Sequence, residues 1–234
     1  MLRIAPDDTE SAVWRRNFVQ TYLLRDLGQL QVGDVNPQLM RQLWTMLAHS
    51  HGQVLNSASM ARSLGVSDHT IRRYVDVLAG TWMVQALQPW FANVKKRQVK
   101  RPKVYLADSG VLHSLLMLET ATDVERHPIL GASWEGFAMQ QVIQRLGARP
   151  EECFFWSTHA GAQLDLFVVR GNTRLGFDFK RTETPKRTKS MHAARTTLGL
   201  DRLDVVYGGR HTWDMGEQTR ALPLSRILDD LEPP

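Results

Sequence analysis

Two eight-residue arms flanking Gly171-Asn172 constrain this chain more than any other feature. Gln163-Leu164-Asp165-Leu166-Phe167-Val168-Val169-Arg170 runs into the dipeptide, and Thr173-Arg174-Leu175-Gly176-Phe177-Asp178-Phe179-Lys180 runs out of it. Both arms read as strands, and Gly-Asn is an acceptable two-residue hairpin loop. That loop sets Asp165 opposite Asp178 and Gln163 opposite Lys180. Like charges directly opposite on a sheet destabilise it. A carboxylate pair in this position therefore suggests something positive between them, most simply a divalent cation. Side chains alternate faces along a strand, so Leu164, Leu166 and Val168 are expected on one face and Gln163, Asp165 and Phe167 on the other. In the second arm Leu175, Phe177 and Phe179 oppose Gly176, Asp178 and Lys180. A longer loop with a bulge is the alternative, and a slip of one residue would separate the polar set.

The rest of the chain divides into helical and strand-like stretches. Trp14, Phe18, Tyr22 and Leu23 predict a helix over residues 11–30, and Asn36-Pro37 starts a second with Leu39, Leu43, Trp44 and Leu47 inward. Residues 57–75 read as helix, turn, helix. Ala61 and Leu64 sit on the first helix, Gly65 makes the turn, and Ser67 or Asp68 caps the second. Ile71, Tyr74, Val75 and Leu78 form an apolar stripe, leaving His69, Arg72, Arg73 and Asp76 outward. Candidate strands at Met83–Trp90 and Val104–Leu106 enclose the basic run Lys95-Lys96-Arg97-Gln98-Val99-Lys100-Arg101-Pro102-Lys103. A helix-turn-helix followed by two strands with a basic connection is a winged helix. Its expected phosphate- and base-contacting residues are His69, Arg72, Arg73, Lys95, Lys96, Arg97, Lys100, Arg101 and Lys103. The plainer reading is a solvated loop beside a structural or protein-binding module.

Four segments follow: a helical one over residues 1–50, the winged helix over 51–108, a linker with a short helix over 109–130, and an α/β (α+β) domain over 131–234. Asp108 reads as the cap of the short helix. The last segment runs as a helix from residue 131, a strand at Phe154-Phe155-Trp156, the hairpin, a basic helix over Pro185–Leu198, a strand at Leu203–Tyr207, and a short strand with a closing helix over Ala221–Leu231.

Composition narrows the partners. A net charge of +5 and a pI near 9.6 favour an anionic partner, with nucleic acid first, and the winged helix points to duplex DNA. The single Cys153 excludes an intramolecular disulfide and fits a reducing cytoplasm. Residues 1–10 lack the apolar core of a signal peptide, and no apolar run has the length of a membrane span. The eight histidines show no metal-ligand spacing.

Glu135 on the first helix of the last segment, Asp165 on its second strand and Asp178-Phe179-Lys180 on its third, in the order helix, three strands, helix, strand, resemble the restriction-endonuclease-like core of the PD-(D/E)xK superfamily. The resemblance implies Mg²⁺ held by Asp165, Asp178 and Glu135, with Lys180 stabilising the attacking hydroxide or the phosphorane charge. Over nearly its whole length the chain also resembles the C-terminal half of AAA-type ATPases of bacteria and archaea. The motifs are the run Trp14–Leu27, the helix-turn-helix, Val104-Tyr105-Leu106-Ala107-Asp108-Ser109-Gly110-Val111-Leu112, Gly131-x-x-Trp134-Glu135-x-Phe137, Trp156-x-x-x-x-Gly161-Ala162-Gln163-Leu164-Asp165, and Phe177-Asp178-Phe179-Lys180. Such proteins carry an N-terminal P-loop ATPase domain. This chain has no G-x-x-x-x-G-K-[ST], so no ATP binding of that kind is expected, and it is read as a truncated piece or a stand-alone remnant. Gln163 stands where these proteins commonly have Glu, and Asp178-x-Lys180 where they have Glu-x-Lys. Two expectations follow: a DNA-binding protein with a nuclease-like, Mg²⁺-dependent site, or a non-cutting DNA- or protein-binding module that partners an ATPase domain.

Overall fold

A computed structural model describes residues 8–29, 35–90 and 101–232. The fold is mixed α/β and divides into two compact units, Met1–Ala86 with Val104–Gly136 and Leu87–Lys103 with Phe137–Pro234. No helix among the described residues is long and apolar enough to cross a membrane.

In the first unit α1 (Asp8–Thr21) passes through a π-helical stretch, Tyr22–Asp26, into α2 (Leu27–Gln29). Asn36 starts α3 (Pro37–His49), its side chain accepting from the N–H groups of Gln38 and Leu39. After the short β1 (Gln53–Val54) come α4 (Ser57–Leu64) and α5 (Asp68–Gly80). Gly65 turns the chain at φ +67°, a conformation that penalises any residue with a Cβ, and the Ser67 hydroxyl caps α5 by accepting from Thr70 N–H. The expected stripe Ile71, Tyr74, Val75 and Leu78 is buried, packed with Leu43, Trp44, Val104 and Leu112. β2 (Val84–Pro89) and β3 (Lys103–Leu106) follow, then α6 (Ser109–Leu115), α7 (Ala121–Arg126) and α8 (Leu130–Leu146), the chain passing to the second unit after Ala86, back after Lys103 and across again after Gly136. Asp108 caps α6 by accepting from Val111 N–H at 2.8 Å. The stretch expected as a linker over 109–130 is folded. Val111, Leu112, Leu115, Leu116 and Ile129 are buried in this unit's core.

The second unit is built on a mixed sheet in the order β2, β4 (Cys153–Ser157), β5 (Gln163–Arg170), β6 (Thr173–Lys180), β7 (Arg202–Tyr207), β9 (Thr219–Pro223), β8 (Trp213–Gly216). β4, β5 and β6 form an antiparallel meander. α9 (Lys189–Leu198) then carries the chain across to β7, which lies parallel to β6. β8 and β9 form a hairpin, β9 is parallel to β7, and α10 (Ile227–Asp230) closes the unit. Met191, Ala194 and Leu198 of α9 pack with Phe167, Leu203 and Val205 of the sheet. Two sequence expectations change here. The basic helix begins at Lys189, capped by Thr188, and not at Pro185. β8, absent from the expected order, adds an edge to the sheet.

The β5–β6 hairpin has the expected two-residue loop. Regular pairs run from Arg170 with Thr173 to Leu166 with Phe177. Gly171 is at φ +59° and Asn172 is not among the positive-φ residues, the sign pattern of a type II′ turn. The expectation of one polar and one apolar face does not hold. Leu164 through Val168 and Leu175 through Phe179 are all buried, as in strands covered on both faces. A bulge also interrupts β5. Against β4, Phe154 pairs with Phe167 but Trp156 pairs with Leu164, so β5 takes three steps while β4 takes two. The extra residue moves Leu164 onto the face of Phe167 and Gly176. Gly176 has no room there for a side chain, since a Cβ would lie 2.5 Å from Leu200 Cδ1 and 3.2 Å from Leu164 Cδ2.

Candidate active site

Beyond the last regular pair the bulge leaves Asp165 free of the strict alternation. Its Oδ2 accepts from the backbone N–H of Phe179 at 3.1 Å. Asp178, on the neighbouring strand, lies close enough to Asp165 for the two carboxyl groups to act on each other. The two residues are 3% and 4% exposed, so both charges are interior. Lys180 Nζ forms an ion pair with Asp178 Oδ2 at 2.9 Å. Asp165, Asp178 and Lys180 therefore converge, as the D…D-x-K reading expects.

The fourth member was assigned to a different role by sequence. Lys103, expected on an exposed basic wing, is 9% exposed. Its Nζ lies 3.9 Å from Asp165 Oδ1 and 5.5 Å over the Phe155 ring. A solvated contact to nucleic acid is inconsistent with that burial. Lys103 is an internal counter-charge, its stem shielded by apolar neighbours. The signal available in sequence was a lysine leading directly into the apolar strand Val104-Tyr105-Leu106, next to a proline that ends the basic run.

The pair titrates unusually. Burial first, and the neighbouring Asp165 charge second, push Asp178 up to about 7, against the pull of Lys180. Two close buried carboxyls resist ionising together. In the folded protein Asp178 thus retains a proton that the unfolded chain has released above the ordinary carboxylate range. Its contribution to stability is fully present below that range and is lost as pH rises through about 7.

Glu135, the third expected ligand, belongs to the first unit, on α8. Its Oε1 accepts from Tyr105 Oη at 2.7 Å. Among the described residues no group of three or more His, Cys, Asp or Glu side chains is arranged to hold a metal. Two buried carboxylates that oppose each other's ionisation still fit one divalent cation, whose remaining sites water and phosphate oxygens would fill. Gln163 is exposed at the start of β5 and His159 is exposed in the preceding turn.

Of the expected nucleic-acid contacts, His69 and Arg72 are exposed on α5, and Arg101 is exposed beside Lys103. Arg72 is ion-paired with Asp68 one turn back. Arg73 is half-buried, with its guanidinium 5.5 Å over the Tyr74 ring. Lys95, Lys96, Arg97 and Lys100 lie outside the described residues.

These features define a two-unit α/β protein whose second unit encloses an acid–amine cluster. Residues 3–122 match a domain of unknown function, DUF8612, and residues 130–227 match a second, DUF4143. The chain belongs to the DUF8612 family. It is 44% identical over 224 residues to the uncharacterized proteins Rv2008c of Mycobacterium tuberculosis and Mb2031c of Mycobacterium bovis, covering 96% of this chain and 50% of each relative. It therefore spans about half the length of the curated relatives it matches. No solved structure matches it.

Proposed function

We propose that this chain is a nucleic-acid-binding protein whose second unit is a restriction-endonuclease-like domain acting on phosphodiesters with Mg²⁺. The carrying observation is the buried Asp165–Asp178 pair with Lys180 at 2.9 Å from Asp178. Its setting supports the reading, since α8, β4, β5, β6, α9 and β7 follow the order of that core. Asp165 and Asp178 would hold the cation. Bound Mg²⁺ supplies Lewis acidity and a more acidic water. Lys180 adds a positive charge where the phosphorane oxygens become more negative. Asp165 is positioned for its part by the bulge and by Phe179 N–H.

In this reading the first unit is a winged helix that docks on duplex DNA through α5. His69 and Arg72 face solvent, and Arg73 is braced against Tyr74. Removing Arg72 and Arg73 is expected to weaken duplex binding and reduce its salt slope by up to about 2, near one unit per lost phosphate contact. Affinity measured across a salt series checks this. An unchanged slope favours a protein-binding role for the module.

A second reading is favoured by Lys103. Its ammonium and that of Lys180 already place one positive charge beside each aspartate. The cluster then balances itself, and the chain serves as the non-cutting, DNA- or protein-binding half of an ATPase. The twofold greater length of the relatives accommodates an ATPase domain. Both readings expect a cytoplasmic protein and no ATP binding through a P-loop, whose motif the sequence lacks. Incubating purified protein with DNA or RNA and Mg²⁺ or Mn²⁺ separates them, since absence of cleavage removes the first.

A further inference from the structure

The tip of the β8–β9 hairpin is held in a conformation that its residues do not favour. Gly216, Glu217 and Gln218 follow one another at φ +81°, +54° and +56°. Glycine adopts this region freely, whereas Glu and Gln bring Cβ against the backbone. Such outliers persist where the surroundings over-determine them. Here Leu203 N–H donates to Gln218 O at 3.0 Å, pinning the turn to the end of the sheet.

The turn delivers the Glu217 carboxylate to a basic cluster on α9 and the segment before it. Glu217 Oε1 lies 3.3 Å from Arg187 Nη1, and Oε2 lies 3.3 Å from both His192 Nδ1 and Arg195 Nη2. Arg195 also reaches Gln218 Oε1 at 3.4 Å. A cavity of about 290 Å³ opens among Arg187, Thr188, Lys189, His192, Arg195 and Glu217. Arg187, Lys189 and Arg195 are fixed cations set against one carboxylate, so the cavity retains positive charge after Glu217 is counted. The first turn of α9 adds the positive end of its dipole. A phosphoryl group offers more acceptor oxygens to two guanidiniums than one carboxylate does.

We propose that this cavity is a phosphate-binding site and that Glu217 is an intramolecular anion occupying it until a phosphoryl group displaces it. The site is independent of the acid–amine cluster and does not require the protein to cleave anything. The recognised chemistry is a phosphate oxyanion, either free or in a nucleic-acid backbone.

The test titrates the isotope-labelled full chain with inorganic phosphate at constant ionic strength and neutral pH, following the His192 ring resonances. Glu217→Gln is expected to bind phosphate at least about tenfold more tightly than wild type, because the competing anion is gone. Adding Arg187→Ala and Arg195→Ala to that variant is expected to abolish the response. Glu217→Gly suits the positive φ and repeats the test with the turn preserved. Equal phosphate affinity in wild type and both Glu217 variants overturns the proposal, as does a response that survives loss of both arginines. A short duplex with 5′-hydroxyl ends distinguishes the sources. Matching His192 shifts assign the site to backbone phosphodiesters, and a response to inorganic phosphate alone assigns it to a free phosphoryl ligand.

Discussion

Asp178→Asn is expected to suppress the proposed Mg²⁺-dependent cleavage and, in the same protein, to raise the melting temperature at pH 8. The two effects have one cause. Asp178 is buried beside Asp165, and both burial and that neighbour resist its ionisation, moving it up to about 7. At pH 8 the fold must hold two adjacent charges, so stability from this pair declines between the ordinary carboxylate range and neutrality and is level above it. Asparagine keeps the shape and removes the titration. The variant should therefore lose the difference in stability between pH 5 and pH 8 that this pair confers, with the gain over wild type largest on the alkaline side. It also loses the anionic oxygen that the proposed cation needs, and cleavage should fall at least about a hundredfold. Lys180→Ala should lose cleavage similarly but gain no stability, because it removes the counter-charge at 2.9 Å and not the buried acid. A nicking assay and calorimetry at both pH values check the two halves separately. Stabilisation without any wild-type cleavage would leave the electrostatics intact and support the non-cutting module. A flat pH profile in wild type would contradict the buried pair itself.

The second large effect is structural. Asp204 on β7 is fully buried, with Arg202 Nε at 2.9 Å and Arg220 Nε at 2.8 Å from its two carboxylate oxygens. Arg220 also donates to the Asp230 carbonyl at 3.0 Å, so the acid ties the parallel β7–β9 pair to the closing helix. Asp204→Ala removes the carboxylate that both guanidiniums share and is expected to cost the second unit about 3 kcal/mol. The estimate sits at the low end for a broken buried pair because both arginines are partly exposed and regain some hydration. Denaturant midpoints of the variant and wild type check it, with first-unit signals followed separately, since a chain of two units need not unfold in one step. An unchanged midpoint would show that the arginines find equivalent partners.

Much of this architecture was legible because its causes are local. Ser67 and Asp108 were readable as caps, since a short polar side chain before an apolar period satisfies the first helical amides. The helix-turn-helix was readable from Gly65 and the stripe Ile71, Tyr74, Val75, Leu78. The β5–β6 register was readable from Gly171-Asn172, because a two-residue loop leaves little choice of pairing. The start of α9 was misplaced because a basic composition extends upstream of Thr188 without helical hydrogen bonding. β8 escaped notice because Trp213-Asp214-Met215-Gly216 is short and shows no clear alternation.

By itself the sequence determined that Asp165 and Asp178 would sit near each other with Lys180 beside them, since hairpin register and strand period are properties of contiguous residues. Only the tertiary structure decided what kind of site they make. Covering both faces of the sheet turned two surface acids into interior ones, and one extra residue in β5 freed Asp165 to bond Phe179 N–H. Lys103, sixty-two positions before Asp165 in the chain, became its counter-charge. Which partner each of these residues meets has no local pattern, because burial and long-range pairing depend on which distant segments pack against the strand.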